Sequence, residues 1–164
     1  MIERYTVRVT KDTLVFSAGH FITFGNGVCE RLHGHNYRVA VEVDGPLIPG
    51  DYVFDFIALR DSTREIVDEL DHRMLLPLGN EHFHLVESPT SVSVTYRDKE
   101  WVFPREDCVL LPLANTTAEL LAKYIAGRLL NVLKSQHQFV PQVLRVEVEE
   151  CFGQIAEYEI NGNV

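Results

Sequence analysis

The chain has 164 residues, 46% of them hydrophobic, and a formal net charge of −9 at neutral pH. That length and balance suit a single soluble globular domain over residues 1–164 and argue against a disordered chain. The acidic balance, with no lysine- or arginine-rich run, counts against a nucleic-acid partner, so an anionic ligand would need a local basic pocket.

Met1 to Tyr5 leads straight into an alternating pattern with no apolar signal core. No run is long enough to span a bilayer, which predicts a cytoplasmic protein without a membrane partner. From Tyr5 to Phe16 the residues alternate around Lys11-Asp12, predicting two antiparallel strands, the second running into Ser17-Ala18-Gly19-His20. A strand from about Asn36 to Val43 stops at Asp44-Gly45-Pro46, and Pro49-Gly50-Asp51 marks a turn before a short apolar strand, Tyr52 to Phe54. Asp55 reads as the N-cap of a helix carrying Phe56, Leu59, Ile66, Val67 and Leu70 and stopping near Asp71-His72. Ser91–Tyr96 and Trp101–Phe103 read as a hairpin around Arg97-Asp98-Lys99-Glu100, followed by Pro104 and an apolar run to Leu113. Thr116 with Glu119 forms a capping-box pattern, and an apolar stripe from Leu120 to Leu133 predicts a second helix to about Gln136. After Pro141, Val143–Glu149 and Gln154–Ile160 alternate as a closing strand pair around Phe152-Gly153.

The segment Cys29-Glu30-Arg31-Leu32-His33-Gly34-His35-Asn36-Tyr37 carries the most chemistry. Residues two apart on a strand share a face, so His33 and His35 can share one cation, while Gly34 lets another backbone or a substrate approach. A third ligand must come from elsewhere. Three cysteines, Cys29, Cys108 and Cys151, are too odd and sparse a set for a disulfide framework and read as reduced thiols. Cys29 has histidine neighbours, whereas Cys108 and Cys151 read as packing residues. His82 and His84 form another pair two apart and read as loop or strand-edge histidines.

Six stretches then occur in one order: Phe16 to His20, Cys29 to Tyr37, Val53 to Phe56, Leu70-Asp71-His72, Asn115 to Glu119, and Val148-Glu149-Glu150 with Tyr158 beyond. In this the chain resembles the 6-pyruvoyl-tetrahydropterin synthase and 6-carboxytetrahydropterin synthase family over most of its length. The resemblance implies an α+β tunnelling fold, a four-stranded antiparallel sheet with two helices on one face. Its subunits join into trimeric barrels that stack as hexamers, so a homo-oligomer is expected. Residues 78–114 depart from the family as a longer link with an inserted hairpin.

The resemblance also implies roles. His20, His33 and His35 match the zinc ligands, three neutral imidazoles that leave one position open for substrate. Cys29 matches the base, whose thiolate a nearby cation would favour. Asp71 and His72 match an acid–base pair in which the carboxylate orients a proton-relaying imidazole. Glu150 matches the glutamate that accepts hydrogen bonds from the pterin's guanidine-like edge, and alternation allows only one of Glu149 and Glu150 to face the pocket. Thr116, Thr117 and Glu119 match residues at the subunit interface near the pterin.

The implied substrate is 7,8-dihydroneopterin triphosphate, converted to a 6-pyruvoyl or, with side-chain cleavage, a 6-carboxy product. The three-residue gap between Cys29 and His33 is similar to the carboxy, queuosine-pathway type. A related branch instead uses a glutamate with two residues between it and His-Gly-His and forms 6-hydroxymethyl-dihydropterin, and Glu30, followed by Arg31 and Leu32, stands at that place. A non-catalytic pterin-binding or assembly module is a further alternative, which the intact zinc, base and relay positions oppose.

Overall fold

The computed structural model describes residues 4–25 and 27–162. In chain order the elements are β1 (Tyr5–Val9), β2 (Val15–His20), β3 (Thr23–Phe24), β4 (Val28–Cys29), β5 (His33–Gly45), α1 (Phe56–Asp68) and β6 (Arg73–Pro77). There follow β7 (His84–Glu87), β8 (Ser91–Tyr96), β9 (Lys99–Pro104), β10 (Cys108–Leu111), α2 (Ala118–His137), β11 (Val143–Cys151) and β12 (Gln154–Asn161). The main sheet has the order β10-β6-β2-β5-β11-β12, with β1 also on β5. Its antiparallel part is the expected four rows, β1 with β2, then β5, β11 and β12. Two strands extend it: β6 joins β2 in parallel, and β10 joins β6 in parallel.

β1 and β2 are not a hairpin. Both run antiparallel to β5, from Tyr5 opposite Gly45 and from His20 opposite His33, so they form one interrupted row. The interruption is a turn in which Leu14 N donates to Lys11 O at 2.9 Å. Inward residues are odd-numbered before it (Val7, Val9) and even-numbered after it (Leu14, Phe16, Ala18), so the turn absorbs a phase change while β5 supplies one long template. Tyr52 to Phe54 is likewise not a strand: Tyr52 makes a single bridge to Ile48, while Val53 and Phe54 are buried in the core without a ladder.

Both helices pack on one face of the sheet. Asp55 caps α1, its Oδ1 accepting from Ile57 N at 2.7 Å and Ala58 N at 2.8 Å. On α2, Leu121, Ile125, Leu129 and Leu133 recur every four residues and are fully buried, each burial contributing about 1.5–3 kcal/mol. They meet Tyr37, Val39, Val41 and Val43 of β5 and Val146 and Val148 of β11 in the main core. Arg128 of α2 grips both carboxylate oxygens of Glu69 beyond α1, at 2.7 and 2.8 Å.

A second core lies under residues 78–114. The expected hairpin is β8 with β9, and β7 adds a third strand. Val92, Val94 and Tyr96 there pack with Phe21, Cys29, Phe83 and Cys108. The wall between the two cores is β6, whose Leu75 faces the main core while Met74 and Leu76 face the second. The second core also fixes the loop before β5: Tyr96 donates its hydroxyl to Gly27 O, and Asn80 Nδ2 donates to Thr23 Oγ1 at 2.9 Å and Ala114 O at 2.8 Å. Among the described residues no helix is long and apolar enough to cross a membrane.

Candidate metal centre and its surroundings

The inward face of β5 that buries Tyr37, Val39, Val41 and Val43 continues outward as His33 and His35. On β2 the inward residues Phe16 and Ala18 continue as His20, and the register sets His20 opposite His33 and Ala18 opposite His35. Two strands thus deliver three imidazoles to one end of the core, with ligand nitrogens all within 4.8 Å of one another.

The tautomers point the same way. His20 Nδ1 donates to Thr116 O at 2.9 Å, and His33 Nδ1 donates to Arg31 O at 2.8 Å. A ring that donates through Nδ1 keeps a lone pair on Nε2. His20 Nε2 and His33 Nε2 nevertheless stand 3.1 Å apart, and His35 Nε2 is buried with no hydrogen-bond partner among the described residues. Converging lone pairs and an orphaned buried nitrogen are costly as they stand and are satisfied by a cation. Burial pushes the His20 pKa down, with the Thr116 carbonyl and Glu150 carboxylate opposing, which favours the neutral ring a metal needs.

Glu150 turns toward the same point, its Oε1 3.5 Å from His20 Nε2 and 3.7 Å from His35 Nε2. Glu149 faces away and accepts from Gly153 N at 2.8 Å. The Tyr37 hydroxyl lies 3.2 Å from His20 Nε2 and donates to Glu150 Oε1 at 3.4 Å, and burial together with that carboxylate pushes its pKa up. The sequence pattern marked Tyr37 only as a strand residue, although its parity with His33 and His35 put it on their face. Thr117, Glu119 and Glu150 border one open hollow of about 370 Å³ beside the start of α2. Thr116 is buried behind it. The Thr116–Glu119 capping box does not form, because Thr117 is the N-cap, without a side-chain bond, and Thr116 Oγ1 sits 3.4 Å from His20 Nδ1.

The remaining expected site residues lie outside this grouping. Cys29 is packed in the second core, its Sγ donating to Glu30 O at 3.3 Å, and burial pushes its pKa up. Glu30, its neighbour, instead sets Oε2 3.9 Å from His33 Nε2. Asp71 accepts from Ser17 N at 2.7 Å and holds His72 Nδ1 at 2.8 Å from its other oxygen. Burial would raise the Asp71 pKa, but the Ser17 amide and His72 outweigh it and hold the carboxyl low. His72 adopts the left-handed region at φ 55° and is 82% exposed, opening on a hollow of about 700 Å³ shared with Ser17, His33, Gly34, His35 and Asn36. Ser17, Gly34 and Asn36 alternate with Ala18, His33 and His35, and the hollow takes in both sets, so the pair borders the histidines across it. His82 lies beside Gly27 and His84 opens β7, neither of them in the metal grouping.

Comparison with known proteins agrees with this architecture. A relative from Methanocaldococcus jannaschii, named a putative 6-carboxy-5,6,7,8-tetrahydropterin synthase, is 38% identical over 147 residues, covering 88% of this chain and 89% of its own. One of the same name from Pyrococcus horikoshii is 34% identical over 131 residues, covering 79% of this chain and 78% of its own. Among solved structures, a 6-pyruvoyltetrahydropterin synthase from Plasmodium vivax, a variant with a glutamate described as a catalytic residue changed to alanine, matches with a TM-score of 0.90. It is 29% identical and covers 98% of this chain and 99% of its own. The profile of the family described as 6-pyruvoyl tetrahydropterin synthase matches residues 8–161, nearly the whole chain. A match of that extent, on a fold shared almost end to end, makes this chain a member of the 6-pyruvoyl tetrahydropterin synthase family.

Proposed function

We propose that the protein is a zinc-dependent lyase that converts 7,8-dihydroneopterin triphosphate and water to 6-carboxy-5,6,7,8-tetrahydropterin, releasing triphosphate and the other two side-chain carbons as acetaldehyde. The observation that carries this reading is the convergence of His20, His33 and His35, with the orphaned Nε2 of His35 at its centre. The names of the relatives from Methanocaldococcus jannaschii and Pyrococcus horikoshii support the carboxy product. Zinc, when bound, polarises the substrate's side-chain hydroxyls and makes the neighbouring carbon-bound protons more acidic. Glu150 accepts hydrogen bonds from the pterin's guanidine-like edge at the hollow that it shares with Thr117 and Glu119. Thr116 sets His20 through its carbonyl. Cys29 takes a proton from the substrate side chain, and His72, oriented by Asp71, returns one.

His72 is exposed and borders the same hollow that His33 and His35 line. The reading also includes a homo-oligomer, a trimer or hexamer, as the family resemblance implies. Sedimentation of the protein as a monomer at working concentration would sink that part.

A second reading is favoured by one observation: Glu30, not Cys29, turns toward the histidines. With Glu30 as base the side chain is cleaved to leave 6-hydroxymethyl-dihydropterin. Zinc-loaded wild type, Cys29→Ala and Glu30→Gln, each incubated with dihydroneopterin triphosphate, separate the two by mass spectrometry of the products. The first reading expects a carboxy product that disappears in Cys29→Ala and survives in Glu30→Gln. A hydroxymethyl product that disappears in Glu30→Gln instead establishes the second, and no turnover by the wild type sinks both.

A further inference from the structure

Metal-binding histidines are held in tautomer and orientation by what their other ring nitrogen meets. Two of the three rings here rest on main-chain carbonyls, His20 on Thr116 O at 2.9 Å and His33 on Arg31 O at 2.8 Å. The third does not. Among the described residues His35 Nδ1 has one hydrogen-bond partner, the sulfur of Cys151 at 3.7 Å.

Plain alternation would not bring that thiol to this ring. Val146 and Val148 face inward, so Glu150 follows inward and Cys151 should turn away. The pairing of β11 with β12 breaks there: Glu149 lies opposite Ile155 and Cys151 opposite Gln154, with the register shifting between them. A bulge of this kind bends the strand and re-aims the residue beside it. As a result Glu150 approaches Nε2 of His35 while Cys151 approaches Nδ1 of the same ring. Cys151 is exposed and belongs to neither core, so it is not the packing residue that its composition suggests.

We propose that Cys151 is a positioning residue for His35, its sulfur accepting the Nδ1 hydrogen and so holding the ring in the tautomer that offers Nε2 to zinc. The proposal rests on the reading that zinc occupies the three Nε2 atoms. Cys151 itself is not a ligand. Sulfur is a weak acceptor, so this is the softest of the three outer supports, and a hydroxyl can replace it.

The test compares wild type, Cys151→Ala and Cys151→Ser by zinc affinity, measured in competition with a chromophoric chelator, and by the absorption spectrum of the cobalt-substituted proteins. Wild type should bind one zinc per chain. Cys151→Ala should bind it about 10–100-fold more weakly, on the scale of a lost outer partner, with altered cobalt d–d bands. Cys151→Ser should recover most of the affinity and the wild-type spectrum, which a purely structural role would not require. Equal affinity and spectra for wild type and Cys151→Ala would overturn the proposal, as would a serine variant no better than alanine. A sulfur-to-cobalt charge-transfer band present in wild type and lost in Cys151→Ala would overturn it too, by making the thiol a ligand. Wild type that binds no zinc would instead overturn the zinc reading, and the positioning role with it.

Discussion

Gly34 sits between two of the histidines proposed to hold zinc, and Gly34→Ala tests how tightly the strand pair fixes them. A Cβ there would stand 2.8 Å from Ala18 O and 3.5 Å from Gly19 Cα, both main-chain atoms that no rotamer change can move. It would fall roughly 0.6 Å short of the 3.4 Å at which ordinary contact begins, so β2 and β5 must part by about that much. Overpacking of this kind costs about 1–3 kcal/mol. Against it, alanine restricts the unfolded chain and returns about 0.4–1 kcal/mol, so the clash wins. The net loss should lower the melting temperature of the metal-free protein by about 2–8 °C at this chain length. The metal suffers more than the fold. His20 is on one strand and His33 and His35 are on the other, while zinc–nitrogen distances hold within about ±0.2 Å, a third of the displacement. Zinc affinity should therefore fall by at least the about 10–100-fold expected for an outer-partner loss. Calorimetry of the metal-free variant and a chelator competition measure the two effects separately. An unchanged melting temperature together with unchanged zinc affinity would refute the close-approach argument.

Asp71→Asn should lower stability at neutral pH, because a carboxylate held by the Ser17 amide and His72 becomes a neutral amide. The folded pKa of Asp71 lies below its unfolded value, so this contribution is present above about pH 4 and disappears as pH falls through the folded value. Urea midpoints of the two proteins should differ at pH 7 and converge in acid; a gap that widens in acid would contradict the sign. Tyr96→Phe removes the hydroxyl that Gly27 O accepts and should cost about 1–3 kcal/mol if that carbonyl stays buried and unpaired. Faster amide hydrogen exchange should then be confined to the Thr23–Cys29 hairpin, and uniform exchange across the chain would argue against a local anchor.

The parts of the fold written in single-strand or single-helix periodicity were legible: β5 from its alternation, α2 from its apolar stripe, α1 from the Asp55 cap, and β11 with β12 around Gly153. Partnership was not. Alternation in Tyr5 to Phe16 marks strands but not which strand they pair with, and a 13-residue β5 could accept both in line. The His-Gly-His spacing put two candidate ligands on one face, and the family motifs supplied His20, which the register sets opposite His33. Thr116 misled because one pattern, a threonine three before a glutamate, serves both a capping box and a buried support for His20. Cys151 was illegible for a different reason: a bulge resets the phase locally, and nothing in the residue types around it announces the reset.

β6 has no solvent side, since Met74 and Leu76 are spent on one core and Leu75 on the other. Asp71 and His72 are mounted at its entry, with His72 N donating to Ser17 O at 2.7 Å. Such a strand cannot slide or tilt without disturbing two packed interiors at once, which makes it a stiff mount for the imidazole proposed as the proton relay. The loop that bears Glu30 has the opposite character, resting on the second core and a few hydrogen bonds. Room for adjustment is therefore left at that loop rather than at β6, where the proposed relay pair is mounted.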